Sequence, residues 1–101
     1  PLRVNNLTYI GNQLHAWIDG VSVYMQHYAP YIWPEMKAGH YALCGHSHSR
    51  CPELNPENTT HGKILDVGVD NAIRFNQTPF FTWDQIQRIM AAKPVVTRDH
   101  H

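Results

Sequence analysis

Hydrophobic and polar residues alternate along the first quarter of the chain in the pattern of β-strands. Residues 7–10 predict a short strand, and residues 14–18 and 21–26 predict two more. The dipeptide Asp19-Gly20 between the last two is typical of a two-residue hairpin turn, because both turn positions adopt positive φ. One face of the third segment is apolar and is expected to face the core: Val21, Val23 and Met25.

The middle of the chain alternates between short apolar runs and polar connections. Residues 31–37 predict a short helix with Pro34 in its first turn and Gly39 after its end. Residues 41–44 predict a buried strand, and residues 49–62 predict a long exposed loop. A further strand is expected over residues 63–70, with these side chains on its core face: Leu65, Val67 and Val69.

The last helix carries the clearest start signal in the chain. Thr82 and Gln85 have the spacing of a capping box, in which both side chains satisfy free amides of the first turn. Pro94 ends the segment. An apolar stripe at helical spacing follows the cap: Trp83, Ile86, Ile89 and Met90. The order of elements predicts an α/β (α+β) fold, mainly β-strands with a C-terminal helix packed on the sheet.

Composition narrows the class of protein. The 101 residues suit a single domain, 1–101, with residues 94–101 expected to form a flexible tail. The formal net charge is zero and no Lys/Arg cluster occurs, so nucleic-acid binding through a basic surface is not supported. No stretch has the length of a membrane span, and two cysteines are too few for a disulfide scaffold. A cytoplasmic location without a membrane partner is therefore expected.

Histidines form the candidate site. The sequence Gly45-His46-Ser47-His48 follows the strand predicted over residues 41–44, and His27 follows the strand predicted over residues 21–26. Gly45 is expected to allow a sharp turn, so that both imidazoles face one cleft. Such nitrogens suit zinc, manganese, iron or nickel, which indicates metal-dependent hydrolysis. The alternative is that His46 and His48 are ordinary polar residues of a loop.

Two cysteines offer another reading of the same segment. Cys44, His46, His48 and Cys51 supply the ligand types of a structural zinc module, although their spacing is tighter than usual. The alternative makes Cys44 a small core residue and Cys51 a loop thiol. The remaining candidates lack such context and are interpreted as surface, core or supporting residues: His15, His40, His61, Asp66 and Asp70.

Three segments together resemble the C-terminal half of a calcineurin-like metallophosphoesterase. They are His27-Tyr28-Ala29-Pro30, residues 41–48 with their Gly-His-x-His motif, and residues 66–70 with the sequence Asp-Val-Gly-Val-Asp. The resemblance covers about residues 20–93. It implies part of a four-layer α/β/β/α sandwich with two metal ions at the carboxyl ends of the strands.

The resemblance also implies roles for individual residues. His27 and His46 would bind one divalent ion and His48 the other, with manganese, iron or zinc as the metal. The substrate would be a phosphomonoester or phosphodiester attacked by metal-activated water, and Arg50 would contact its phosphate unless it is simply a solvated loop residue. No residue of this chain is assigned a catalytic role beyond metal binding.

The acidic metal motifs that precede this half in the family do not occur ahead of His27. The chain is therefore expected to be a C-terminal segment, and whether it is active alone is left open. The N-terminal half would be supplied by a preceding piece, by a partner chain or not at all. The alternative is a non-catalytic interaction domain that oligomerises with copies of itself through open sheet edges.

Overall fold

The computed structural model describes residues 3–45 and 51–98, which form a small α+β domain built on one mixed sheet. Strand order in the sheet follows chain order, β1-β2-β3-β4-β5. The elements are β1 (Val4–Ile10), β2 (Gln13–Ile18), β3 (Val21–Gln26), β4 (Tyr41–Cys44), β5 (Ile64–Asp66), α1 (Val69–Asn76) and α2 (Trp83–Ala91).

The first three strands form an antiparallel meander, as the hairpin pattern predicts. Asp19 and Gly20 have φ of 50° and 82°, so the expected turn between β2 and β3 is confirmed. β1 begins at Val4, three residues earlier than predicted, because its pairing with β2 continues across a bulge between Asn5 and Thr8. Local alternation is interrupted at such a bulge, and this hides the first part of the strand.

The last three strands are parallel, and the crossover before β4 differs from its prediction. Instead of a helix over residues 31–37, the structure has a single 3-10 turn, Met36–Ala38, ended by Gly39 with φ of 85°. Glu35 is left-handed with φ of 61°, which interrupts any helix at that point. The buried Trp33 donates its indole N–H to the carbonyl of His40, and this contact holds the segment in its irregular path.

β5 is also shorter than the strand predicted over residues 63–70. Asp66 Oδ1 accepts a hydrogen bond from the amide of Gly68 at 2.8 Å, and the side chain of Asn71 donates to the Asp66 carbonyl at 2.7 Å. These bonds turn the chain into α1 at Val69. The prediction that Val69 faces the core is wrong, since its side chain is 55% exposed.

The two faces of the sheet are covered differently. On the face that we call the helix face, α2 packs its apolar stripe on the strands, and its capping box is formed as predicted. On the opposite face, the crossover face, the cover comes from the irregular segments before β4 and β5. Buried residues of the helix face are Val23, Leu43, Leu65, Ile86, Ile89 and Met90. Those of the crossover face are Trp33, Met36, Ala42, Cys44, Leu54 and Ile64.

The connection predicted as an exposed loop contributes to this cover. Its described part, residues 51–62, contains the 3-10 turn Pro52–Leu54, and Leu54 is buried. In the segment expected to form a tail, Val96 packs against the crossover face and Arg98 donates to the carbonyl of Tyr31. Neither of the two described helices has the length and apolar character that crossing a bilayer requires.

Candidate functional site

The carboxyl ends of β3, β4 and β5 lie side by side, because these three strands are parallel. His27 follows β3 and Gly45 follows β4, and the amide of Gly45 donates to the carbonyl of His27 at 3.0 Å. The amide of Val67 donates in the same way to the carbonyl of Cys44, the last residue of β4, at 2.8 Å. Ligands of open α/β sheets commonly bind at this end of parallel strands.

Gly68 brings the chain after β5 close to the chain after β4. A Cβ atom placed on Gly68 would lie 3.0 Å from Asp66 Oδ1 and 3.4 Å from the carbonyl oxygen of Gly45. The first distance is tight and would require the Asp66 carboxylate to shift by a few tenths of an ångström, whereas the second is ordinary van der Waals contact. A side chain at position 68 would therefore disturb Asp66 first, which accepts the hydrogen bond from the Gly68 amide.

A cavity of about 340 Å³ opens beside these strand ends. His27 lines it together with the backbone of Gly45 and Gly68. The His27 ring lies edge-on to the ring of Tyr28, with centroids 5.0 Å apart. Apolar side chains supply most of the remaining wall: Tyr9, Leu14, Met25, Leu43 and Val67.

The predicted ligands are divided between described and undescribed parts of the chain. His27 stands at the carboxyl end of β3, as the sequence predicts. His46, His48 and the predicted phosphate contact Arg50 lie outside the described residues. Gly45, which directly precedes His46, is hydrogen-bonded to His27, so the backbone enters that segment next to the His27 backbone.

The sharp turn expected at Gly45 would lead into residues 46–50, which lie outside the described residues, but the backbone at Gly45 itself does not require glycine. Gly45 does not have positive φ, and a Cβ atom placed on it would meet no heavy atom within 4 Å. Its backbone is ordinary because the hydrogen bond to His27 continues the ladder between β3 and β4. Another residue would be accommodated at this position.

Whether the site fits metal ions depends on the number and type of ligand side chains that meet there. Over residues 3–45 and 51–98, no group of three or more His, Cys, Asp or Glu side chains has the geometry to hold an ion. Of the predicted ligand set, this part of the chain contributes His27. Imidazole nitrogens match the preference of zinc and iron, whereas manganese prefers oxygen donors, and a complete ligand set requires His46 and His48 as well.

The two cysteines are in protonated, hydrogen-bonded states. Cys44 is buried and its thiol donates to the carbonyl of Leu65, and burial raises its pKa to about 12. The Cys51 thiol donates to Glu53 Oε1 at 2.8 Å, and this bond raises its pKa to about 11. The burial of Cys44 and the bond of Cys51 to Glu53 agree with the interpretation of Cys44 as a core residue and Cys51 as a loop thiol, and the other two ligands of the zinc module, His46 and His48, lie outside the described residues.

Three other histidines are held in local hydrogen bonds. His15 Nε2 lies 2.6 Å from the hydroxyl of the buried Ser22, and the amide of Ser22 donates to His40 Nδ1 at 2.7 Å. His61 Nδ1 lies 2.8 Å from the hydroxyl of Thr60. Their interpretation as surface or core histidines agrees with these contacts. The pairing of both His15 and His40 with Ser22 gave no signal in the sequence, since it depends on the register of β2 and β3 and on the path of the crossover that brings His40 back to Ser22.

Comparison of the chain with protein-family models, curated proteins and solved structures gives no match. The case for function therefore depends on the geometry at the carboxyl ends of β3, β4 and β5 and on the three motifs in the sequence.

Proposed function

We propose that this chain is the C-terminal segment of a metal-dependent phosphoesterase of the calcineurin-like type. It would contribute His27, His46 and His48 to a site for two divalent ions, manganese, iron or zinc, and Arg50 to the contact with substrate phosphate. The five-stranded sheet would form one sheet of a four-layer α/β/β/α sandwich. The other sheet would come from a preceding piece or from a partner chain.

The observation that carries the proposal is the hydrogen bond between Gly45 and His27. It joins the residue that precedes the Gly-His-x-His motif to the residue that ends β3. The sequence separates these residues by a crossover, yet both stand at the carboxyl end of parallel strands beside one cavity. That is the end of a parallel sheet at which ligands usually bind.

The chemistry assigned to each part follows from its type. Two bound divalent ions supply an activated water near neutral pH and offset negative charge on a phosphoryl group. His27, His46 and His48 would hold the ions as neutral imidazoles. The parallel pairing of β3 with β4 and of β4 with β5 would bring donors from separate strands to one end of the sheet.

Metal content tests the ligand assignment. The purified chain, equilibrated with zinc or manganese and desalted, is expected to retain the ion, and His27→Ala, His46→Ala and His48→Ala should each lower its affinity at least tenfold by calorimetry. His61→Ala is the matched control, because His61 is exposed and bonded to Thr60. Equal affinity in all four variants would overturn the assignment.

Hydrolysis is measured separately with bis(p-nitrophenyl) phosphate in the presence of manganese. Since the acidic motifs are not found ahead of His27, we expect weak turnover by the chain alone and recovery when the missing half is added. Metal retention without hydrolysis in either setting would contradict the phosphoesterase proposal.

One observation favours a second candidate, an interaction domain that associates with a copy of itself. β1 pairs with β2 on one side, and it exposes three large apolar side chains: Val4, Leu7 and Tyr9, at 52%, 63% and 72%. An apolar edge strand is a template for pairing with another chain. Light scattering would distinguish the candidates, because a metal-free dimer that dissociates on Leu7→Lys substitution favours the interaction domain.

A further inference from the structure

We propose that the cavity beside His27 binds an uncharged aryl group, and that a phosphate ester acted on at this site carries such a group next to its phosphate. Only the second part of this inference, that the substrate is an aryl phosphate ester, rests on the proposed function. Binding of the aryl group itself depends on the shape and polarity of the cavity.

The wall of the cavity is apolar and comes from five separate parts of the chain. Leu14 on β2 lies directly opposite Met25 on β3 and Tyr9 on β1 in the antiparallel register. Leu43 on β4 and Val67 after β5 continue the same surface across the parallel strands. Leu14, Met25, Leu43 and Val67 form a continuous apolar wall at this end of the sheet, and Tyr9, which is 72% exposed, lies at its rim.

The polar groups of the cavity are few and stand at one side. Among its described lining residues are no Lys, Arg, Asp or Glu side chains. Its lining residues with polar side-chain groups are His27, Gln26, Asn12, Tyr9 through its hydroxyl and Cys44 through its thiol. The part of the wall formed by described residues is therefore mainly apolar, and it matches an uncharged ring.

The volume sets the size of the ring. The cavity measures about 340 Å³ and is open to solvent, and an enclosed apolar cavity of about 150 Å³ is large enough to bind benzene. A bicyclic ring such as naphthalene therefore has room, with one of its faces left towards solvent. With the ring against Leu14 and Met25, a substituent on it can point to His27.

Binding of 1-naphthol without metal tests the cavity alone. Titration into the isotopically labelled chain is expected to shift amide signals of Leu14, Met25 and Val67 in a saturable way. Leu14→Gln should weaken binding about tenfold, which corresponds to about 1.4 kcal/mol. Ile73→Gln is the matched control, because it makes the same change on α1, where Ile73 is 50% exposed and does not line the cavity.

The spectra of each variant also show whether it is folded, and Met25→Gln provides a second change in the same wall. Saturable shifts at the cavity that both wall variants weaken would support the proposal. Absence of saturation, shifts spread over the surface, or equal loss in Ile73→Gln would overturn it.

A second measurement separates this inference from the proposed function. With manganese and the complete site, the ratio of kcat/KM for 1-naphthyl phosphate to that for ethyl phosphate is expected to fall in Leu14→Gln and to stay constant in Ile73→Gln. An unchanged ratio would overturn the link between the cavity and the substrate. Binding of 1-naphthol without hydrolysis of either ester would support the aryl-binding site and would contradict the phosphoesterase proposal.

Discussion

The helix face and the crossover face of the sheet are stabilised in different ways. On the helix face, α2 lays apolar side chains on β3, β4 and β5, and the capping box satisfies amides at its start. At its other end, Lys63 donates to the carbonyls of Met90 and Lys93. On the crossover face, irregular backbone covers the sheet, and polar side chains reach across to bind it. Lys93 donates to the carbonyls of Asn55 and Asn58, and Trp33 donates to that of His40.

The difference follows from what irregular backbone lacks. A helix satisfies most of its own amides and carbonyls, so it can cover a sheet through apolar contact alone. Buried backbone without regular structure needs other partners, and specific side chains supply them. We therefore expect the helix face to depend on packing volume and the crossover face on individual hydrogen bonds.

The largest expected effect is on the helix face. Met90 is fully buried among Val23, Leu65 and the rest of the apolar cluster, so Met90→Ala should lower the free energy of unfolding by about 2–5 kcal/mol in urea denaturation. Arg88→Ala, on the exposed side of the same helix, should cost less than about 0.5 kcal/mol. Similar losses in the two variants would show that α2 is not packed as described.

The next prediction concerns the charge on Lys93. Burial lowers its pKa to about 8, so between pH 8 and its ordinary value the unfolded chain holds more protons than the folded one. Stability contributed through Lys93 therefore rises with pH across this window, by up to roughly 3 kcal/mol. The difference in unfolding free energy between wild type and Lys93→Met should grow accordingly.

The quantity to measure is the difference in unfolding free energy between wild type and Lys93→Met, because other groups titrate in the same pH range. The raised pKa values of Cys44 and Cys51 make stability fall as pH rises through the same range, and they do so in both proteins. A difference that stays constant from pH 7.5 to 9.5 would contradict the account of the buried Lys93 ammonium.

A smaller effect is expected from the histidine that joins the crossover to β3. His40→Ala removes the acceptor of the buried Ser22 amide and should cost about 1–3 kcal/mol. His61→Ala, which removes an exposed imidazole, should be close to neutral. Thermal unfolding of both variants checks this, and equal midpoints would mean that the hydrogen bond to Ser22 contributes nothing.

The smallest prediction concerns reactivity at the edge of the crossover face. The bond to Glu53 raises the pKa of the Cys51 thiol and so lowers its thiolate fraction. Glu53→Gln should increase the rate of alkylation by iodoacetamide about tenfold at neutral pH, with the modified peptide identified by mass spectrometry. Unchanged kinetics would show that the carboxylate does not hold the thiol.

Sequence reasoning succeeded where the signal is local. Asp19-Gly20 determines the hairpin and the Thr82/Gln85 pair determines the start of α2, because each acts on its own neighbours. It failed at residues 31–37, where Trp33 bonds to His40, and at Val69, where Asp66 and its partners turn β5 into a helix. Those outcomes depend on contacts that no local pattern reveals.

The site was predicted in the same uneven way. The position of His27 at a strand end follows from the alternation of β3, so it could be anticipated. The apolar cavity could not, because Tyr9, Leu14 and Val67 meet only through the order of the strands in the sheet. The turn expected after Gly45 stays a prediction, because the residues that follow Gly45 lie outside the described part of the chain.

Paramagnetic broadening by manganese is the most direct test of the central claim, that metal binds at the carboxyl ends of β3, β4 and β5. In the labelled chain, substoichiometric Mn²⁺ should first broaden the amide signals of His27, Gly45 and Gly68. It should spare Gly20, at the other end of β3 and about 20 Å away. The same broadening pattern should be lost in His27→Ala, because that variant lacks the His27 imidazole. Uniform broadening, or broadening that begins at Arg98 near the chain end, would contradict the account.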